Sequence, residues 1–250
     1  IGDPDPQLAA RSFITADAPR HGRWRKPVMP AVGPRRLEAL EAIIRARAGA
    51  LLDDLPRGET FDWVERVSVE LTTQLLAVLF DVPFEDRRKL PWWSDVVTAT
   101  PAAGGSMSLE ERRAVLMECL DYFQALWKRR AAAPPGFDFI SLYAHHPDTA
   151  DMAEAPLDLL GNLMLLIVGG NDTTRNSISG GLLALNEWPE EYARLRADPG
   201  LIPGMVKEIV RWQTPIAHMR RTATRDAELA GRTIRAGEKV VMWYVSGNRD

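Results

Sequence analysis

The sequence has a single cysteine, Cys119, among its 250 residues. One thiol cannot form a disulfide within the chain, and it cannot supply the several thiolates of a structural zinc site. Long apolar runs are also missing, because the stretch poorest in charge, 159–170, is far shorter than the ~20 residues of a membrane-spanning helix. No basic segment followed by an apolar stretch, as in a secretory signal peptide, stands at the start. We therefore expect a cytoplasmic protein without a membrane span.

An excess of basic residues is absent as well. Lys and Arg number 31 and Asp and Glu number 34, which gives a formal net charge of −3. Proteins that bind nucleic acid or anionic membranes gather Lys and Arg into patches, so this mild acidity argues against both partners. The hydrophobic fraction of 46% is typical of a globular protein with a sizeable core.

The spacing of apolar residues predicts a mainly α protein. Helical periodicity is clear in 34–55 and again in 57–83, where Pro83 ends the pattern. Ser108 and Glu111 have the spacing of a capping box at the start of a further helix. A short helix is also expected to begin near Pro19, since proline suits the first turn.

The longest predicted element lies between Pro156 and Pro189, with no proline in between. Its roughly 33 residues, at ~1.5 Å each, would make a helix about 50 Å long. After Arg220 the pattern changes to β-branched residues and glycine turns, which predicts a small β element near the C-terminus. A Gly/Ser loop is predicted at Gly104–Ser106.

A polar interruption stands in the middle of this predicted helix, where 166–176 reads LIVGGNDTTRN. Glycine inside a helix costs about 1 kcal/mol relative to alanine, so Gly169 and Gly170 need a compensating reason. Without Cβ atoms a flat ligand can approach the backbone, and an opened hydrogen-bond ladder beside Asp172 and Thr173 would hold a water and pass protons. The competing interpretation is close helix packing through glycine, with threonine bonding back to carbonyls.

Further motifs follow the same order as in a known family. The stretch DAPRHGRWR lies upstream, KEIVRW places Glu208 and Arg211 three residues apart downstream, and RRTATRD follows. Together with GGNDT, these motifs resemble the cytochrome P450 family of heme-thiolate monooxygenases over essentially the whole chain. GGNDTTRNSISGGLLALNE and KVVMWYVSGNRD are similar to the bacterial soluble alkane hydroxylase branch, which oxidises the terminal methyl group of medium-chain alkanes.

The resemblance implies roles for residues of the central helix. Asp172 and Thr173 match the family's catalytic acid–alcohol pair, which delivers protons during dioxygen activation in an otherwise dry pocket. Gly169 and Gly170 match positions that leave room for oxygen and substrate over the cofactor, heme b.

Residues outside that helix also match family positions. His21, Arg25 and Arg221 match groups that bind the heme propionates, which prefer charge-assisted hydrogen bonds. Glu208 and Arg211 match a buried ion pair with a structural role.

One family feature is missing, because the heme iron is normally held by a cysteine in a glycine-rich loop after the ExxR helix. Cys119 lies instead in the helical stretch LMECLDYF, and we expect it to be a buried apolar residue. No residue of this chain is therefore predicted to bind the metal. Residues 1–250 are interpreted as part of a P450 domain whose N-terminal part and thiolate loop lie outside the sequence, so the fragment alone should hold heme weakly or not at all.

The resemblance implies a hydrophobic small-molecule substrate, dioxygen, and electrons from a ferredoxin and its reductase. Two alternatives remain: a P450 acting on another hydrophobic substrate, such as a fatty acid or terpenoid, and a non-enzymatic helical interaction module. A metal-dependent terpenoid cyclase is excluded, since Arg175 and Ser179 replace two ligands of its N-D-x-x-S-x-x-x-E motif. The adjacent His145 and His146 lack the spacing of a zinc site. Apolar candidates for a substrate pocket are Met164, Leu165, Ile216, Ala217 and Met219.

Overall fold

The computed structural model describes residues 11–99 and 107–250, so the predicted loop at Gly104–Ser106 lies outside the described residues. The prediction of a mainly α fold with a small β element is confirmed. The helices are α1 (Arg20–Arg25), α2 (Pro34–Asp53), α3 (Glu70–Phe80), α4 (Lys89–Thr98), α5 (Leu109–Ala131), α6 (Phe139–His145), α7 (Pro156–Glu187), α8 (Pro189–Ala197), α9 (Ile202–Gln213) and α10 (Tyr244–Gly247). The strands are β1 (His218–Thr222), β2 (Ala227–Leu229), β3 (Arg232–Ile234) and β4 (Lys239–Trp243).

The chain divides into two compact units, Ile1–Asp172 and Thr173–Asp250, and helix α7 passes from the first into the second. The sequence predicts one partial domain over 1–250, and this stays a prediction. In the described ranges, no helix combines the length and apolar character that crossing a membrane requires.

An aromatic centre holds the first unit together. The ring of Phe80 in α3 lies 5.7 Å from that of Phe123 in α5 and 5.0 Å from that of Phe139 in α6. Trp93 of α4 lies 5.5 Å from Phe123 in a tilted arrangement. Tilted and edge-on aromatic pairs of this kind stabilise a core by more than the burial of their apolar surface alone would. The first half of α7 completes this core with apolar residues as far as Ile167.

Local sequence signals fix the ends of several helices. The predicted capping box of α5 is formed, since the Glu111 amide donates to Ser108 Oγ at 3.2 Å and the Ser108 amide donates to Glu111 Oε2 at 2.8 Å. The Ser108 hydroxyl also donates to Glu111 Oε2 at 2.7 Å, and this bond together with the one from the Ser108 amide lowers the pKa of Glu111. Helix α3 ends at Phe80, and the next residue, Asp81, adopts the left-handed conformation with φ of 52°.

The stretch before α3 differs from a regular α-helix. A π-helical segment, Val64–Val69, leads into α3, so the long helix predicted over 57–83 is present but has a widened turn near its start. Such π segments are rare in proteins, and those that occur often lie near functional sites. The periodicity of apolar residues does not reveal a π segment, because one extra residue in a single turn hardly changes the spacing of apolar residues along the helix.

The second unit contains the rest of α7, the short helices α8 to α10 and two antiparallel sheets of two strands each. Strands β1 and β4 pair antiparallel with Arg221 opposite Val240, and β2 pairs antiparallel with β3. The tight turn between β2 and β3 has positive φ at Ala230 and Gly231. The first strand begins at His218, slightly before the change of pattern after Arg220 that predicts it.

Candidate active site

Helix α1 presents two of the predicted heme-binding residues. His21 and Arg25 are four residues apart, which places them on one face of the helix. Trp24 is buried and anchors the helix in the core of the first unit. Arg25 is exposed, while His21 is half-buried with its ring 6.2 Å from that of Phe13. One imidazole and one guanidinium therefore share a face of a helix that Trp24 anchors in the core of the first unit.

The two glycines of α7 have different surroundings. A Cβ atom at Gly169 would have no heavy atom within 4 Å, whereas one at Gly170 would lie 2.8 Å from Cδ2 of Leu76. Gly170 thus permits close packing against α3, which is the competing interpretation made from the sequence. A side chain at position 169 would extend into open space, and the predicted role of Gly169 stays a prediction.

The sequence predicts an opening of the hydrogen-bond ladder at Gly169 and Gly170, but the helix has no break at these two residues. Helix α7 runs as an α-helix without interruption from Pro156 to Glu187. The widened turn that the structure does contain lies in Val64–Val69. The Leu76 side chain occupies the space that a Cβ atom at position 170 would need, which explains why glycine stands there.

Asp172 is held by polar groups within the first unit. The Asn171 side-chain amide donates to Asp172 Oδ1 at 3.2 Å, and the Ser94 hydroxyl approaches the same oxygen at 3.4 Å. Asn171 Oδ1 in turn accepts a hydrogen bond from the Thr72 hydroxyl at 3.0 Å. The carboxylate therefore belongs to a side-chain network that reaches from α7 to α3 and α4.

Asn171, Thr72 and Ser94 are not among the site residues predicted from the sequence. The amide of Asn171 stands in the quoted motif, so its proximity to Asp172 was visible there. Thr72 and Ser94 lie 99 and 78 residues away from their partners along the chain. Only the packing of α3 and α4 against α7 brings these two hydroxyls to the site.

Thr173 follows Asp172 directly and belongs to the second unit. Its carbonyl accepts a hydrogen bond from the Ser177 hydroxyl at 2.8 Å. The predicted catalytic function of Asp172 and Thr173 stays a prediction, as does that of the flanking glycines.

Arg221 extends from β1 in the second unit and is exposed. Its guanidinium donates to the carbonyl oxygen of Arg220 at 2.9 Å. Within 11–99 and 107–250, no carboxylate forms an ion pair with Arg221, and none does so with Arg25. Both cations are available for an anionic group.

Glu208 and Arg211 form the ion pair that their spacing predicts, with a bidentate contact at 2.5 and 2.8 Å. The pair is not buried, because the side chains are 58% and 42% exposed, and that part of the prediction is wrong for this chain. The hydrogen bond from Arg211 lowers the pKa of Glu208. Arg211 also donates to the carbonyl of Asn248, so it joins α9 to the end of α10.

Cys119 lies in α5 with no exposed surface, as the sequence predicts. Burial raises the pKa of its thiol, which keeps the sulfur protonated and unsuited to bind iron. In the part of the chain that the structure describes, no cluster of three or more His, Cys, Asp or Glu side chains is arranged to hold a metal ion.

An open apolar cavity of about 660 Å³ lies in the second unit, between the C-terminal part of α7, α8 and α9. Trp188 and Trp212 line it, and their rings meet edge-on with centroids 5.3 Å apart. None of the predicted catalytic or heme-binding residues lines this cavity. Among the candidates for a substrate pocket, Met164 belongs to the core, whereas Ile216 is exposed.

Comparison with known proteins gives one consistent answer. No family model matches the chain. Linalool 8-monooxygenase of Pseudomonas putida is 39% identical over 241 residues, covering 95% of this chain and 58% of that protein. The methyl-branched lipid omega-hydroxylase of Mycobacterium tuberculosis is 34% identical over 265 residues, covering 100% of this chain and 59% of that protein.

Solved structures agree with these sequence relatives. CYP153D17 from Sphingomonas sp. PAMC 26605 superposes with a TM-score of 0.90 at 47% identity, covering 100% of this chain and 62% of that one. Cytochrome P450-153 from Novosphingobium aromaticivorans superposes with a TM-score of 0.86 at 45% identity, covering 99% and 61%. The chain therefore spans about three fifths of the length of these relatives. On sequence and structure alike, the chain belongs to the cytochrome P450 family.

Proposed function

We propose that the full-length protein is a heme-dependent monooxygenase that hydroxylates the terminal carbon of medium-chain alkanes or related aliphatic chains. Dioxygen is the oxidant, and the electrons come from a ferredoxin and its reductase. Asp172 and Thr173 are its proton-delivering pair. His21, Arg25 and Arg221 bind the propionates.

The observation that carries this proposal is the surroundings of Asp172. Its carboxylate is oriented by donors from Asn171 and Ser94, while Gly169, one turn earlier in α7, faces open space. An oriented acid beside an open helix surface is what proton delivery to a bound reactant requires. The interaction-module alternative gives no reason to hold a carboxylate in this way.

The residues present fit heme b as far as this chain carries its site. The propionates are carboxylates, and both Arg25 and Arg221 lack a carboxylate partner in the described ranges. His21 shares a helix face with Arg25 and adds a further hydrogen-bonding group. The protonated Cys119 does not fit the iron, so the thiolate ligand of the proposed enzyme is another cysteine.

Heme with a thiolate ligand supplies the activation of dioxygen and the oxidation of an unactivated C–H bond. The residues of this chain contribute binding and proton movement. The Asp172 carboxylate takes up a proton from solvent and releases it toward the reaction, and the Thr173 hydroxyl accepts and donates hydrogen bonds on that path. The glycine at position 169 leaves space next to this path.

The names of the relatives support oxidation at or near the end of an aliphatic chain. One relative is called an omega-hydroxylase of methyl-branched lipids, and another is called a linalool 8-monooxygenase. The choice of an alkane as substrate rests on the resemblance of the sequence to the alkane hydroxylase branch. A terpenoid alcohol or a fatty acid is therefore the specific alternative to an alkane.

The test uses the purified full-length protein. The reduced protein with carbon monoxide should give the red-shifted Soret band of thiolate-ligated heme. With n-octane, a ferredoxin, its reductase and NADH, gas chromatography should then show 1-octanol as the main product. Turnover of linalool or octanoic acid without turnover of octane would favour the alternative substrates. A folded protein without the Soret band would favour the interaction module.

Thr173→Ala should uncouple oxygen consumption from product formation in that enzyme. Without the hydroxyl, proton delivery slows, so product per NADH should fall about tenfold while hydrogen peroxide rises. Thr173→Ser, which keeps a hydroxyl, is the matched control and should stay near wild type. Equal coupling in wild type and Thr173→Ala would remove the proposed role of this residue.

A further inference from the structure

Asn171 is a fully buried amide with a polar partner on each side. Its Nδ2 lies 3.2 Å from Asp172 Oδ1, and its Oδ1 lies 3.0 Å from the hydroxyl of Thr72. A buried amide is costly unless both ends are hydrogen-bonded. The two contacts therefore explain how the helix tolerates a polar side chain that has no exposed surface.

The donors and acceptors fix the orientation of this amide while Asp172 is ionised. A carboxylate only accepts hydrogen bonds, so the NH₂ end of Asn171 must face Asp172. The oxygen end then faces Thr72, whose hydroxyl donates to it. The opposite orientation would direct an oxygen at a carboxylate.

Thr72 has other acceptors within reach. Its hydroxyl lies 2.9 Å from the carbonyl oxygen of Ser68 and 3.1 Å from that of Val69, at the end of the π-helical segment. A hydroxyl has one proton, so Thr72 donates to one of its three neighbours at a time. When it donates to a helix carbonyl, its oxygen is free to accept a hydrogen bond from an amide.

We propose that Asn171 is a positioning residue whose side-chain amide flips when the protonation state of Asp172 changes. Thr72 is its hydrogen-bond partner in both orientations. The inference rests on the proposed function, in which Asp172 carries protons. In the ionised state, Thr72 donates to Asn171 Oδ1 and Asn171 Nδ2 donates to the carboxylate. In the neutral state, the Asp172 hydroxyl donates to Asn171 Oδ1, Nδ2 donates to Thr72, and Thr72 donates to Ser68 or Val69.

The protons balance in this cycle. One proton from solvent forms the O–H bond of Asp172, and the same bond breaks when the proton leaves. The amide keeps both of its hydrogens and rotates about its terminal torsion, which is broad and roughly two-fold in side chains of this type. In each proposed state Asn171 Oδ1 accepts one hydrogen bond, Nδ2 donates one, and the Thr72 hydroxyl has an acceptor for its proton.

The test compares variants of the full-length protein that differ in one group. Asn171→Leu removes donor and acceptor at nearly constant shape, and Thr72→Val removes only the hydroxyl. Thr72→Ser restores that hydroxyl. Thr98→Val is the matched control, since Thr98 bonds back to the carbonyls of Ser94 and Asp95 in the same manner but belongs to α4 and does not contact Asn171.

Infrared difference spectra read the carboxyl group of Asp172 directly and need no turnover. Subtracting the spectrum of Asp172→Asn isolates its bands in the ionised and neutral forms. Asn171→Leu should shift both, since each form loses a hydrogen bond, and Thr72→Val should shift them less. Thr72→Ser and Thr98→Val should reproduce the wild-type bands.

Coupling of NADH to product is the second measurement. We expect about a tenfold loss in Asn171→Leu, because hydrogen bonds to charged groups are the strong ones, and a smaller loss in Thr72→Val that Thr72→Ser restores. Infrared bands of Asp172 that stay unchanged in a folded Asn171→Leu protein would overturn the proposal. If Asn171→Leu does not fold, unchanged bands of Asp172 in Thr72→Val would overturn it. A failure of the proposed function is distinct, since it would appear as absent product or an absent Soret band in the wild-type protein.

Discussion

The two units of the chain use their apolar residues in opposite ways. In the first unit, aromatic and aliphatic side chains from α3 to α7 are buried together, with Phe80, Trp93 and Phe123 at the centre. Every buried hydrophobic side chain of the described ranges precedes position 168, whereas Val206 and Val210 of α9 are about half exposed. The first unit therefore holds its own core, and the second depends on backbone pairing and surface ion pairs.

Helix α7 offers the sharpest test of this contrast, because it belongs to both units. Leu163 has no exposed surface, whereas Leu183 is 59% exposed. Leu163→Ala should lower the free energy of unfolding of the chain by about 3–5 kcal/mol, since a cavity remains in a packed core. Leu183→Ala should change it by less than about 0.5 kcal/mol.

Urea unfolding followed by tryptophan fluorescence measures both variants. The two substitutions share residue type, helix and direction of change, so they differ only in burial. Similar losses would mean that the second unit buries Leu183 in solution, and the contrast between the units would be broken.

The charged groups of the two units should differ in the same direction. Burial alone would raise the pKa of Glu70, but hydrogen bonds from Gln74 and Arg87 and the charge of Arg88 outweigh it and leave the pKa lowered. Glu70→Gln should cost about 2 kcal/mol at pH 7, less than a fully buried pair because Arg88 is half exposed. Glu208→Gln, in the exposed pair with Arg211, should not change stability measurably.

The pH dependence separates charge from packing at Glu70. A carboxyl with a lowered pKa in the folded state contributes stability above its unfolded pKa of ~4.3, and that stability is lost as the pH falls through the folded pKa. The difference between wild type and Glu70→Gln should therefore shrink below pH ~4. A difference that persists in acid would assign the effect to packing.

The sequence predicts the helices well because their signals are local. Proline positions bound α7, a capping box starts α5, and the family motifs lie within short stretches. The exposure of the Glu208–Arg211 pair could not be predicted from its spacing, since an i,i+3 pair has the same spacing on a buried and on an exposed helix face. The hydrogen-bond network around Asp172 could not be predicted from the sequence either, because only tertiary packing brings Thr72 and Ser94 to it.

Glycine substitutions in α7 give the smallest and most selective test. A Cβ atom at Gly170 would lie 2.8 Å from Leu76 in the first unit, and one at Gly181 would lie 2.7 Å from Ile209 in the second. The nominal overlap is similar, but Leu76 is buried while Ile209 is partly exposed and free to move. Gly170→Ala should therefore be the less stable of the two by about 1 kcal/mol.

Gly169→Ala is the reference for this pair, because its Cβ meets open space. It should raise the free energy of unfolding by up to about 1 kcal/mol, the ordinary gain of alanine over glycine in a helix. Combining Gly170→Ala with Leu76→Val should cost less than the sum of the single changes, because the shorter side chain relieves the overlap. Additive losses of unfolding free energy would show that Leu76 does not restrict position 170. Equal losses in Gly170→Ala and Gly181→Ala would show that the side chains around both positions adjust to a Cβ atom equally well.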